Sequence, residues 1–245
     1  MFSWFLNSWL GRFLTSSIGK KLIMALTGLF LITFLLVHLV GNLQLIFTGG
    51  ENGPAGQAFN EYAYFMTHNP VIKFTSYGLY AFILIHSIQG IVLWLKNRAA
   101  RGSQGYAVKV NRVAGASKNS IYMGSLGTII LIFIIVHMVQ FWAQMKFTDN
   151  VAMVDYAGAD HAVKDLYTLV ASTYENIWFV IFYVVAMIFI GFHLFHGFES
   201  AFQTLGLRHP KWTPFIKMVG RMYSVLVPLG FAAIPLVMYY RHISQ

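Results

Sequence analysis

The chain has 245 residues, of which 57% are hydrophobic and only 10% charged, against about a quarter charged in an ordinary soluble domain. It has no cysteine, which excludes disulfides, thiolate metal sites and iron–sulfur clusters held by its own sulfurs. A net charge of +9 would suggest a nucleic-acid partner in a soluble protein, but the distribution of that charge points to topology instead.

The aromatic start of the chain (Phe2, Trp4, Phe5, Trp9, Phe13) reads as an interfacial piece lying on a bilayer. Five charge-free apolar stretches follow: Leu22–Phe47, Phe74–Leu95, Asn119–Met145, Asn176–Phe198 and Met222–Tyr240. About 20 residues cross a hydrocarbon core. The expected fold is therefore an all-α, integral membrane bundle of five transmembrane helices, one domain over 1–245, with spans near 22–47, 74–95, 119–145, 176–205 and 218–240. The first stretch is too long for a cleavable signal and lacks a small-x-small exit site. Ser16 and Ser17 are candidate caps of the first helix, and Asn69-Pro70 opens the second. The basic link from Asn97 to Lys118 is rich in Gly, Ala and Ser and should be irregular. The link from Lys146 to Glu175 has room for a short helix. Pro228 and Pro235 should bend the last helix without ending it.

Basic residues mark the cytoplasmic side. Arg12, Lys20 and Lys21, then Lys96, Arg98, Arg101, Lys109, Arg112 and Lys118, then Arg208, Lys211, Lys217 and Arg221 fall on one side of the spans, 13 of the 17 Lys and Arg. The other side holds Lys73, Lys146, Lys164 and Arg241, with Glu51, Glu61, Asp149, Asp155, Asp160, Asp165 and Glu175. This predicts a cytoplasmic N-terminus and a C-terminus outside.

Four spans carry histidine: His38, His86, His137, and His193 with His196. A lone membrane histidine commonly does no more than hydrogen-bond a neighbouring helix. Four helices with one each is a different pattern, and ionisable residues in hydrocarbon are usually functional. At a rise of about 1.5 Å per residue, His38 and His137 lie roughly 25–29 Å from the inner face, and His86 about 15 Å from it. His193, 15 residues before Arg208, also belongs to the inner half. Two pairs emerge, His38 with His137 and His86 with His193 or His196, separated vertically by roughly 10–14 Å.

Two facing imidazoles suit a six-coordinate haem, whose porphyrin supplies the four equatorial nitrogens. Zinc or copper would want three or four ligands at one depth. A proton-conducting histidine chain is less favoured, because the five spans lack carboxylates. Glycines give a second clue, since a flat macrocycle against a helix needs small residues beside its ligand. Gly41 follows His38 by three positions, Gly90 follows His86 by four, and Gly197 follows His193 by four. The shared H-x-x-x-G spacing favours His193 over His196. A cytochrome bc-type subunit, with paired histidines two haem heights apart on one helix, does not fit.

Gly28-Leu-Phe-Leu with His38 ten residues on, His86 midway along the second span, His137 in "IIVHMVQFW" and "FHLFHGFESAFQTLG" from Phe192 to Gly206 give the chain a family likeness. Over essentially its whole length it resembles the single-chain, five-helix, two-haem anchor of succinate dehydrogenases and quinol:fumarate reductases. In such anchors the fourth-helix ligand stands thirteen residues before a glycine closing the helix. His193 has that spacing to Gly206, whereas His196 stands ten residues before it.

The resemblance implies two b haems, one held by His38 and His137 on the outer side and one by His86 and His193 on the inner. It implies a flavoprotein (FAD) subunit oxidising succinate and a three-cluster iron–sulfur subunit on the cytoplasmic face. Electrons would run through the inner and then the outer haem to a membrane quinone, for which menaquinone is the expectation. It also implies the cell inner membrane and a heterotrimer that can associate further, with no nucleic-acid partner. Some relatives use a glutamate near the outer start of the second helix for quinol protons, and Glu61 is the positional candidate. They also carry a glutamate two residues before the fourth-helix ligand, where this chain has Gly191, which puts that proton route in doubt. Glu199 lies near the inner end of the fourth helix, as part of a polar network, at a haem edge or simply solvated. A dihaem cytochrome b of a hydrogenase or formate dehydrogenase, and a non-redox membrane protein with structural histidines, remain the alternatives.

Overall fold

The computed structural model describes residues 7–47, 54–101, 118–157 and 160–244, with backbone alone at 101 and 118–121. Phe2, Trp4, Phe5, Glu51 and most of the link expected to be irregular, residues 102–117, lie outside the described residues. The fold is all-α apart from one two-stranded ribbon. In chain order it comprises α1 (Trp9–Thr15), α2 (Ser17–Leu43), α3 (Gln57–His68), α4 (Pro70–Arg101) and α5 (Lys118–His137). After His137 the helix continues through a π-helical turn, Met138–Ala143, into α6 (Gln144–Phe147). Then come β1 (Met153–Val154), β2 (Val163–Lys164), α7 (Leu166–Tyr174), α8 (Ile177–Thr204) and α9 (Thr213–Ile243). Five helical stretches are long and apolar enough to cross a membrane: Ser17–Leu43, Pro70–Ala100, Tyr122–Phe147, Ile177–Thr204 and Thr213–Ile243. The protein is a multi-pass membrane protein.

Local chemistry sets the helix ends. Ser16 separates α1 from α2, because its hydroxyl donates to Phe13 O at 2.6 Å and accepts from Gly19 N at 3.0 Å. Asn69 Oδ1 accepts from Val71 N and Ile72 N at 3.0 and 3.2 Å, and Pro70 takes the first helical position, where no N–H is needed. The first span stops at Leu43, although the apolar run continues to Phe47. Its last carbonyls explain the difference. Leu45 N and Ile46 N turn back to Asn42 O and Leu43 O at 3.0 Å, and Arg241 donates to Leu45 O at 3.3 Å and Ile46 O at 2.5 Å. The last helix runs unbroken through Pro228 and Pro235.

Two faces are visible along α8. Trp178, Ile181, Val185, Ile188, Phe192 and Phe195 are exposed at helical spacing, whereas Val180, Tyr183, Met187, Leu194, Phe198 and Ala201 are buried. In water the first stripe would be a liability, but it is the surface that lipid tails solvate. A similar exposed stripe, Phe74, Tyr77, Leu84 and Ile88, runs along α4.

Packing divides the described residues between two compact units. The first takes those within 1–33, 79–128 and 192–224. In it Gly124 lies under the Trp94 indole and Gly220 under the Phe198 ring, both too close for a Cβ, while Tyr223 OH donates to Ile32 O. The second takes those within 34–78, 129–191 and 225–245. Its core joins Leu45, Phe59, Phe133, Val170, Tyr174, Val180, Tyr183, Met187, Ile234 and Met238.

The link before the second span holds a helix, α3, that sequence reasoning did not place, while α7 is the short helix for which the later link had room. Asn60, 1% exposed, fastens the two. Its Nδ2 donates to Tyr156 OH at 2.9 Å and Asp165 Oδ1 at 3.0 Å, and its Oδ1 accepts from Tyr167 N at 2.9 Å. Burial here pushes the Tyr156 phenol above the ordinary tyrosine range.

Candidate functional site

The histidines meet in the pairs that depth counting predicts, one pair in each unit. In the second unit the His38 ring of α2 faces His137, the last residue of α5, with centroids 5.9 Å apart and planes at 83°. In the first unit His86 of α4 faces His193 of α8 at 6.3 Å and 73°. His193, three positions before His196, is thus the one set against His86. Aromatic neighbours hold the rings. Phe34 stacks on His38 at 5.2 Å with Phe231 at 5.6 Å, and Phe133 stacks on His137 at 5.8 Å with Phe141 at 5.3 Å.

Two of these rings have a hydroxyl at Nδ1. Thr27 Oγ1 is 3.1 Å from His86 Nδ1 and also reaches Ile23 O at 2.7 Å and Met24 O at 3.2 Å. With its proton on either carbonyl it accepts from the imidazole, an arrangement that favours the Nδ1–H tautomer of His86 with the lone pair on Nε2. His137 has a similar neighbour. Tyr183 OH lies 2.7 Å from Gln140 Oε1 and 3.4 Å from His137 Nδ1. Gln140 sits in the π-helical turn directly after His137, a distortion often found at functional sites. Asn42 Nδ2 donates to His38 O at 2.8 Å and approaches His38 Nδ1 at 3.3 Å. His193 Nδ1 is buried with no hydrogen-bond partner.

No family model, curated protein or solved structure matches this chain.

A two-ligand metal site can be tested on these distances. An imidazole nitrogen lies about 1.1 Å from its ring centroid and a metal–imidazole bond is about 2.0–2.1 Å, so two rings across one ion have centroids roughly 6.2–6.4 Å apart. The His86–His193 spacing of 6.3 Å falls in that range and the His38–His137 spacing of 5.9 Å just below it. Plain edge-to-face packing also spans these distances. The hydroxyl at Nδ1 of His86 and of His137, which would leave Nε2 for a ligand, is the feature that packing alone does not require. Among the described residues no three His, Cys, Asp or Glu side chains converge on one point. Any metal here must bring its other ligands with it, as a porphyrin does.

The remaining predicted residues fall in different settings. A Cβ on Gly197 would meet nothing within 4 Å, and one on Gly90 would make ordinary contact with Met24 at 3.8 Å. Gly41, expected beside a haem, lies under the Tyr62 ring, which leaves no room for a Cβ. The glycines against ligand candidates are Gly28, whose Cβ would stand 3.3 Å from His86 Cε1, and Gly127, whose Cβ would stand 3.8 Å from His193 Cε1. Glu61 is on α3 rather than at the start of the second span; it is exposed and accepts from Gln57 Nε2 at 2.7 Å. Glu199 pairs with Lys217 at 3.0 Å and Arg208 at 3.6 Å. These half-exposed ion pairs contribute little to stability. Sequence reasoning missed Thr27, Asn42, Gln140 and Tyr183. Their only signal was a polar group on an apolar helix.

Proposed function

We propose that this protein is the electron-transfer membrane anchor of a succinate:quinone oxidoreductase, with two bis-histidine sites for b haems. The observation that carries this reading is the pairing of four histidines from four membrane helices, two by two, with a hydroxyl at Nδ1 of His86 and of His137. His38 and His137 would hold one group, His86 and His193 the other. Bound there, each haem would supply a one-electron carrier. The protein's own part is to orient the imidazoles, to set their basicity and to exclude water with Phe34, Phe133, Phe141 and Phe231.

Dicarboxylate chemistry belongs to a flavoprotein partner and cluster chemistry to an iron–sulfur partner, because this chain has no cysteine. The basic ends of the spans would face the cytoplasm and dock those partners. The redox substrate would be a quinone, with menaquinone the expected type and the exposed Glu61 carboxylate available to exchange its protons. A reduced-minus-oxidised visible spectrum of the purified protein tests the core of the proposal. The expected result is b-type absorbance at two haems per chain, reducible by succinate in the complex. Absence of that absorbance would leave a non-redox bundle with packed histidines. Haem reducible by hydrogen or formate instead of succinate would assign the chain to another dehydrogenase.

A further inference from the structure

Two buried hydroxyls lie beside the histidine pairs. Thr27 is 4% exposed and Tyr183 5%. Each belongs to a different unit, and each contacts Nδ1 of one member of a pair. Each has given its proton to another acceptor: Thr27 to the Ile23 carbonyl and Tyr183 to the Gln140 side chain. A threonine in a membrane helix needs only the first of these bonds to be satisfied. The approach to the imidazole is additional, and it recurs in an unrelated side chain on another helix. Gly28, next to Thr27, lets the His86 ring come close.

We propose that Thr27 and Tyr183 are positioning residues that lock His86 and His137 as Nδ1–H tautomers, present Nε2 to the metal and lower the reduction potential of the site each serves. The inference rests on the haem reading above. An imidazole that donates through Nδ1 becomes a stronger base at Nε2, which favours the oxidised metal. Removing the acceptor therefore raises the potential of that site and leaves the other unchanged. In the wrong tautomer Nε2 carries the proton and cannot ligate.

The test is a spectroscopic redox titration of the haem-loaded protein, with the two sites assigned by His86→Ala and His137→Ala, each of which leaves one haem. Thr27→Val keeps the shape and removes the hydroxyl. It is expected to favour the reduced form at the His86–His193 site about fivefold, about 40 mV at 59 mV per decade. Thr27→Ser should return the original potential. Tyr183→Phe should produce a similar rise at the His38–His137 site alone. Unchanged potentials, or equal shifts at both sites from either variant, overturn the inference. If Thr27→Val loses its haem, recovery in Thr27→Ser supports the inference and failure to recover overturns it. If Tyr183→Phe loses its haem, Gln140→Leu decides: the tyrosine proton is then free to turn toward His137, and an unchanged outer potential overturns the assignment. Wild-type protein without haem would sink the functional reading and this inference together, whereas loaded wild type with unshifted variants sinks this inference alone.

Discussion

A neutral imidazole offers one N–H and one lone pair, and its neighbours decide which nitrogen carries which. His86 and His137 each have a hydroxyl at Nδ1 that can bias that choice. The spacing of histidines against charged span ends was enough to pair the rings, because rise per residue converts position into depth. It could not find Thr27, because threonine in an apolar helix ordinarily bonds its own backbone, as Thr27 also does at Ile23 O. Nor could it find Tyr183, 46 residues from His137. The H-x-x-x-G spacing and, through the family resemblance, the distance to Gly206 favoured His193 over His196 as a ligand, and in the structure the His193 ring faces His86. His193→Ala is expected to remove one of the two haems while His196→Ala keeps both, counted from the pyridine haemochrome spectrum. The opposite result would reverse the ligand assignment.

Helices in a bilayer must satisfy their own backbone groups, and the ends are where this fails first. Hydrophobicity alone extended the first span to Phe47, but the helix ends at Leu43 because Arg241 and a tight turn take over the carbonyls. Lys164 does the same for the end of the third span, donating to Met145 O at 2.6 Å. The helix α3 was hidden because its composition is only weakly apolar and its anchor is one amide with partners 96 to 107 residues away. Asn60→Ala takes a buried amide from the part-buried Tyr156 OH and Tyr167 N and should cost about 1–3 kcal/mol, read as a lower midpoint in thermal denaturation in detergent. A wild-type midpoint would show the latch to be dispensable. Gly124→Leu should destabilise the first unit by a comparable or larger amount, because a side chain there overlaps the Trp94 ring. Intrinsic tryptophan fluorescence of the folded variant reports it directly.

Five crossings would put the two ends of the chain on opposite sides of the membrane, and the proposed assignment of sides rests on the basic residues. Two of the four basic residues expected on the minority side, Lys164 and Arg241, are spent on main-chain carbonyls, that of Met145 in α6 and those of Leu45 and Ile46 just past α2, which gives them a structural reason to be there. The cysteine-free chain suits a direct test. In right-side-out vesicles an impermeant maleimide should label Asp155→Cys, while Lys211→Cys should react only after the membrane is opened; reaction of both from one side would overturn the proposed topology. Composition, apolar run length and histidine depth are one-dimensional quantities, so the sequence alone settled the helical membrane class, the approximate extent of each span and the pairing of the rings. Which hydroxyl reaches which imidazole, where a span yields to a turn, and why Gly28 rather than Gly41 lies against a histidine depend on rotation about helix axes and on residues far apart in the chain. Only packing fixes those, because a difference of a single position turns a side chain by about 100° around its helix.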